Sequence, residues 1–166
     1  MLFTPRALNF FGFLACALLM AYAFYLQYVE GLEPCPLCMA QRIAVVALGI
    51  VLGLAALHNP ARTGRRVYAV LTLLCALAGA ALAGRQLWLQ SLPEDQVPAC
   101  GPGLSYMMEV FPMSEVLMMM IQGTGDCAKV DWTFLGLSIA GWTFIWFVLF
   151  GLFAIFQFVR KPAQNA

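Results

Sequence analysis

Residues 7–29, ALNFFGFLACALLMAYAFYLQYV, carry no charged side chain from end to end. A helix rises about 1.5 Å per residue, so about 20 apolar residues cross the ~30 Å hydrocarbon layer of a bilayer. This stretch is long enough to span. A secretory signal is the alternative, since Arg6 precedes the apolar run and small residues surround Cys16. The run outlasts the ~7 to 15 residues of a signal core, so a retained span is expected. Phe13, Leu14 and Ala15 make a poor lipoprotein-type cleavage site before Cys16.

The rest of the chain repeats the pattern. Ile43–Ala61, Val67–Gly84 and Trp132–Val159 also lack Asp, Glu, Lys and Arg. The second and third reach spanning length with help from Pro36–Arg42 and Arg85–Leu89. The 166 residues are 63% hydrophobic and only 10% charged, far from the balance of a soluble domain. The expected fold is an all-α membrane protein: a four-transmembrane-helix bundle in one domain, 1–166, with spans near 7–29, 36–57, 67–89 and 138–159. A long loop, about 90–137, joins the last two.

Charge orients the bundle. Arg6, Arg62, Arg65, Arg66, Arg160 and Lys161 fall on one side, and Arg42, Arg85 and Lys129 on the other. The excess of Lys and Arg in short cytoplasmic segments places both termini and the 58–66 loop in the cytoplasm, and the 90–137 loop outside. All eight acidic residues fall on the outer face. No repeat, low-complexity tract or basic run suited to nucleic acid is present.

Topology also sorts the six cysteines. Cys16 and Cys75 lie inside spans, where a thiol packs as a small hydrophobe. Cys35, Cys38, Cys100 and Cys127 all lie on the outer side, an even number in an oxidising compartment. Turn residues surround Cys100 (Pro98, Gly101, Pro102, Gly103) and precede Cys127 (Gly123, Gly125), which makes both accessible. A bond between them would close a loop of about 28 residues and contribute roughly 3 kcal/mol, so a plain structural staple accounts for that pair taken alone. Between them Phe111–Gln122, with Val116, Leu117, Met118, Met119, Met120 and Ile121, suits a short interfacial helix on the membrane surface, or else a patch for a partner.

Cys35 and Cys38 open the second span, with Pro34 or Pro36 tolerated in its first turn. At about 100° per residue, Cys35, Cys38 and Arg42 fall within an arc of about 60°, joined on the same stripe by Met39, Val46 and Gly49. The helix dipole favours a thiolate there. Arg42, one turn below Cys38, leans back towards the N-terminus, so its guanidinium is expected near the Cys38 sulfur. The pattern fits a reactive pair beside a functional intramembrane cation. It also fits an inert disulfide with a snorkelling Arg42, and a zinc site of Cys35, Cys38, Cys100 and Cys127 is a further alternative. Arg85, beside Trp88, reads as an interface anchor.

PCPLCMAQR at 34–42, followed by GDCAKVDWTFLGLSIAGW at 125–142, resembles the bacterial disulfide bond formation protein B (DsbB) family over nearly the whole chain. The resemblance implies an inner-membrane enzyme that reoxidises a soluble periplasmic DsbA-like thiol oxidase and passes two electrons to membrane quinone, ubiquinone or menaquinone. It implies a Cys100–Cys127 disulfide attacked by the partner, with Cys100 taking the mixed disulfide. Cys35 would exchange with Cys127, Cys38 would face the quinone, and Arg42 would hold the quinone oxygen. Vitamin K epoxide reductase-like proteins are the rival enzymes, but their C-x-x-C lies near the last helix. A non-enzymatic membrane protein with structural disulfides or zinc is the rival of another class.

Overall fold

The computed structural model describes residues 4–101 and 104–160. Pro102, Gly103, Lys161 and both chain ends, which entered the readings above, lie outside the described residues. Four helices are long and apolar enough to cross a membrane: α1 (Pro5–Tyr28), α2 (Pro36–His58), α3 (Arg62–Gln90) and α6 (Ile139–Val159). The chain is an all-α membrane protein.

Local chemistry sets the helix ends. Thr4 and Ser138 cap α1 and α6, each accepting a backbone N–H three residues on. Pro36 takes the first position of α2, where its missing N–H costs nothing, and Cys35 becomes the cap. Asn59, at φ 42°, ends α2 in the left-handed conformation. The helix α3 starts earlier than the apolar pattern suggests. Arg62, Arg65 and Arg66 belong to its first turns rather than to a loop, because arginine is a good helix former and hydropathy alone cannot see it.

In the bundle α2 packs between α1 and α3, and α6 packs along α3. Small residues let the backbones approach, as expected where lipid gives helices no hydrophobic reason to associate. A Cβ on Gly49 would stand 3.2 Å from Cys16 Cβ, and one on Gly79 only 2.2 Å from the Phe147 ring. Cys16, Leu48, Leu52, Ala76, Ala83 and Phe147 form the central core. Cys75 packs against its edge, so both intramembrane cysteines are packing residues.

The long connection folds over the end of α3 opposite Arg62, Arg65 and Arg66. It contains α4 (Leu104–Val110), α5 (Met113–Gln122), a 3-10 turn (Gly125–Ala128) and a hairpin of β1 (Thr133–Phe134) and β2 (Leu137–Ser138). Leu135 and Gly136 turn the hairpin with φ of 51° and 80°. Two-residue strands are too short for an alternating pattern to reveal, which is why this hairpin was not anticipated. Val116 and Met120 of α5 pack on Ala40 and Met107, while Met113, Leu117, Met118 and Ile121 stay exposed.

Candidate functional site

The head of α2 is built around sulfur. Cys35 Sγ accepts the Cys38 backbone N–H at 3.3 Å, satisfying one of the free donors of the first turn. The same capping geometry brings the two side chains together, with Cys35 Sγ 2.9 Å from Cys38 Sγ. All six cysteines are free thiols in this structure.

Cys127 approaches from the loop. It is wholly buried on the 3-10 turn among Leu37, Leu89 and Cys35. Gly123 allows this approach, since its φ is +76° and a Cβ there would meet Leu37 Cδ1 at 2.5 Å. The Cys35 thiol lies in hydrogen-bonding contact with Cys127. That bond, helped by backbone hydrogen bonds at Leu37 and Thr124, outweighs burial and lowers the Cys127 thiol from about 9 to about 6. Cys35 moves the other way, because its hydrogen bonds to Cys127 and then Cys38, together with burial, hold its proton in place. The charge of the pair therefore resides on Cys127.

Cys100 sits outside this sulfur line. It is exposed on a segment clipped to the Cys127 turn, where Gly125 N–H donates to Ala99 O at 3.1 Å. A Cβ on Gly125 would meet Pro98 O at 2.3 Å, so glycine permits the clip. The structure thus brings Cys38, Cys35 and Cys127 into sequential contact and leaves Cys100 facing solvent on the adjoining strand of loop.

Arg42 departs from expectation. Its guanidinium turns to α1 rather than onto Cys38: Nη2 donates to Ala23 O at 3.1 Å, Nη1 donates to Gln27 Oε1, and Cζ stands 5.6 Å from the Phe24 ring centroid. An arginine among apolar helices goes where acceptors are, and α1 offers an amide oxygen and a backbone oxygen. Gln86 of α3 occupies the polar position beside the sulfurs instead. Its Nε2 lies 3.3 Å from Cys38 Sγ and 3.6 Å from Cys35 Sγ, and its Oε1 accepts from Gln41 Nε2 at 2.7 Å. Gln41 and Gln86 are both buried, at 3% and 4% exposed. Sequence reading passed over both. The available signal was an uncharged amide beside each arginine, in QR at 41–42 and RQ at 85–86. Arg85 stacks 4.3 Å over Trp88, the neighbour expected for it, and also donates to Gln122 O at the end of α5.

Cys35, Cys38, Gln41, Arg42 and Gln86 border an open cavity of about 380 Å³, lined by α1, α2, α3 and α6 and by the Lys129–Trp132 segment. Leu26, Val45, Ile139 and Trp146 supply apolar wall, while Cys35, Cys38, Arg42 and Gln86 supply sulfur and N–H groups. Such a space, mostly apolar with a few convergent polar groups, has the character of a small-molecule site beside a dithiol. Among the described residues no group of three or more His, Cys, Asp or Glu side chains is arranged to hold a metal ion.

Comparison with known proteins covers nearly the whole chain. The family described as Disulfide bond formation protein DsbB matches residues 5–157. A protein of Hahella chejuensis named Disulfide bond formation protein B is 65% identical over 159 residues, 96% of each chain. Proteins of the same name from Marinobacter nauticus and Nitrosococcus oceani are 56% and 52% identical, covering 90% and 93% of this chain and 89% and 92% of their own.

Proposed function

Because the chain belongs to the disulfide bond formation protein DsbB family, we propose that it is a quinone-dependent thiol:disulfide oxidoreductase of the bacterial inner membrane. Both termini face the cytoplasm and the 90–137 loop faces the periplasm. There it reoxidises a DsbA-like dithiol oxidase and sends the electrons to membrane quinone. The observation that carries this reading is the line of sulfurs from Cys127 through Cys35 to Cys38, ending at the cavity.

The exchange proceeds in balanced steps. In the oxidised chain, Cys100 is bonded to Cys127 and Cys35 to Cys38. A partner thiolate attacks exposed Cys100 and forms a mixed disulfide, and Cys127 leaves as a thiolate, which its surroundings stabilise. The partner's second thiol then attacks its own mixed-disulfide sulfur. Partner disulfide and free Cys100 result. The Cys127 thiolate attacks adjacent Cys35, and Cys38 leaves towards the N–H of Gln86. Cys100 next attacks Cys127 and releases Cys35, restoring the loop disulfide and leaving a Cys35–Cys38 dithiol.

When bound, quinone supplies the two-electron, two-proton sink that this dithiol requires. Arg42 and Gln86 would hold its oxygens, and the walls formed by Leu26 and Trp146 would hold its ring. Gln27 and Ala23 keep the Arg42 guanidinium at the cavity, while the full burial of Cys127 and the partial burial of Cys35 keep competing thiols from the relay.

The test is alkylation trapping of reduced, purified protein after quinone addition. Oxidation of Cys35 and Cys38 before Cys100 and Cys127 is expected. Cys35 and Cys38 remaining reduced in excess quinone would remove the proposal.

A further inference from the structure

At the far end of the bundle from Cys35, the first turns of α3 and the last turn of α6 enclose a second cavity of about 150 Å³. Its lining includes Arg62, Arg65, Arg66, Arg160 and the buried Gln157, whose amide donates to Asn9 of α1. The volume is several times what one water needs.

The electrostatics of this corner are unfavourable within the chain itself. Arg62, Arg65 and Arg66 lie at i, i+3 and i+4, so three like charges share a face. They also stand at the positive end of the α3 dipole, where a cation is disfavoured. Ala61 provides no side-chain cap, so the first N–H groups of α3 lack a side-chain acceptor. Among the described residues the one ion pair is Lys129–Asp126, at the other end of the bundle. Retaining positive charge on one membrane face requires only that arginines be present. It does not require four of them to converge on a cavity at an uncapped helix start. That convergence calls for an anion.

The apolar surroundings indicate which anion. Arg66 Cζ lies 5.7 Å from the Phe158 ring centroid and Arg160 Cζ 5.8 Å from that of Phe156, so both cations rest on side chains of α6 that are themselves exposed. A phosphate in the cavity would have an exposed apolar helix face directly beside it. We propose that this cavity binds the phosphodiester head group of an anionic phospholipid, whose acyl chains lie along the exposed face of α6 that carries Phe158 and Val159 beside the cavity.

The test titrates the purified full chain in detergent with phosphatidylglycerol or phosphatidylcholine of identical acyl chains and counts bound lipid by native mass spectrometry. One phosphatidylglycerol is expected to be retained where phosphatidylcholine is lost. Arg65→Gln and Arg66→Gln should each weaken retention about fivefold, the equivalent of one surface cation. Arg6→Gln, on α1 outside the cavity, should leave it unchanged. Arg66→Lys, which keeps the charge and guards against a folding defect, should retain most of it. Equal retention of the two lipids, or equal weakening by Arg6→Gln, would overturn the site. Binding of inorganic phosphate that displaces no lipid would overturn the lipid assignment.

Discussion

Gln86 reaches from α3 to within 3.3 Å of the Cys38 sulfur, and its amide oxygen is held at 2.7 Å by Gln41 from the helix that carries that cysteine. The amide is thereby fixed with its N–H towards sulfur. A neutral donor at this position favours charge on Cys38 whenever the Cys35–Cys38 bond opens, without placing a second full charge in an apolar site.

Replacing Gln86 with Leu should therefore make the Cys35–Cys38 pair a weaker oxidant. The hydrogen bond stabilises the reduced form alone, so its loss lowers the reduction potential. A hydrogen bond to a charged group contributes about 1.5–3 kcal/mol, equivalent to about 30–60 mV for a two-electron couple. Equilibration with glutathione buffers measures the shift, and an unchanged potential would show that the contact is mere packing.

Arg42→Ala should raise the apparent KM for a short-chain quinone on the order of tenfold while leaving turnover at saturating quinone far less affected, the pattern of lost binding rather than lost chemistry. Gln27→Ala should produce a smaller change in the same direction, because Gln27 holds the guanidinium in place. Steady-state kinetics over quinone concentration would separate the two effects, and a Gln27 effect without an Arg42 effect would contradict this arrangement.

The Cys127 thiol titrates near 6, below its ordinary value of about 9, chiefly through the Cys35 thiol beside it. Thiolate absorbance of the reduced protein should therefore include a component present above pH 6 and lost as pH falls through 6. Cys35→Ala removes the principal cause, so the midpoint should move up towards the usual thiol range. A midpoint unaffected by the substitution would assign the shift to the backbone donors.

Under native conditions a bulky maleimide should modify Cys100 at least about tenfold faster than Cys127, although the Cys127 thiol is lowered to about 6, because reaction needs access as well as charge. Cys100 is exposed and Cys127 is 0% exposed. Mass-resolved labelling rates of the reduced chain would decide this.

Gly79→Ala should destabilise the bundle by about 1–3 kcal/mol, the usual cost of overpacking. The added methyl would meet the ring of Phe147, itself 1% exposed and unable to yield. Unfolding in mixed detergents gives the value, and Gly84→Ala, with its nearest contact at 3.7 Å, serves as the mild control.

Much of the fold was legible because hydropathy is a local property. Ala7–Val29 and Trp132–Val159 announce helices by length and lack of charge, and the turn chemistry of Pro34 and Pro36 marks where α2 begins. The start of α3 is not legible in hydropathy, because arginines extend a helix without extending its apolar run. Within the site, Cys35 and Cys38 were placed together by helical spacing alone. Gln86 was not, since it comes from a helix 48 residues away and a single amide has no periodicity to announce it.

By itself the sequence determined that four apolar helices form, that four cysteines gather at one end and the arginines mainly at the other, and that Cys35, Cys38 and Arg42 share a stripe of α2. These follow from spacing along one chain. Tertiary structure alone decided that Cys127 touches Cys35, that Gln86 faces Cys38, and that Arg42 turns to α1. The physical reason is that such contacts depend on how each helix is rotated against its neighbours. That rotation is set by which small residues, among them Gly49 and Gly79, allow two backbones to close, a property of pairs of surfaces that neither strand of sequence contains alone.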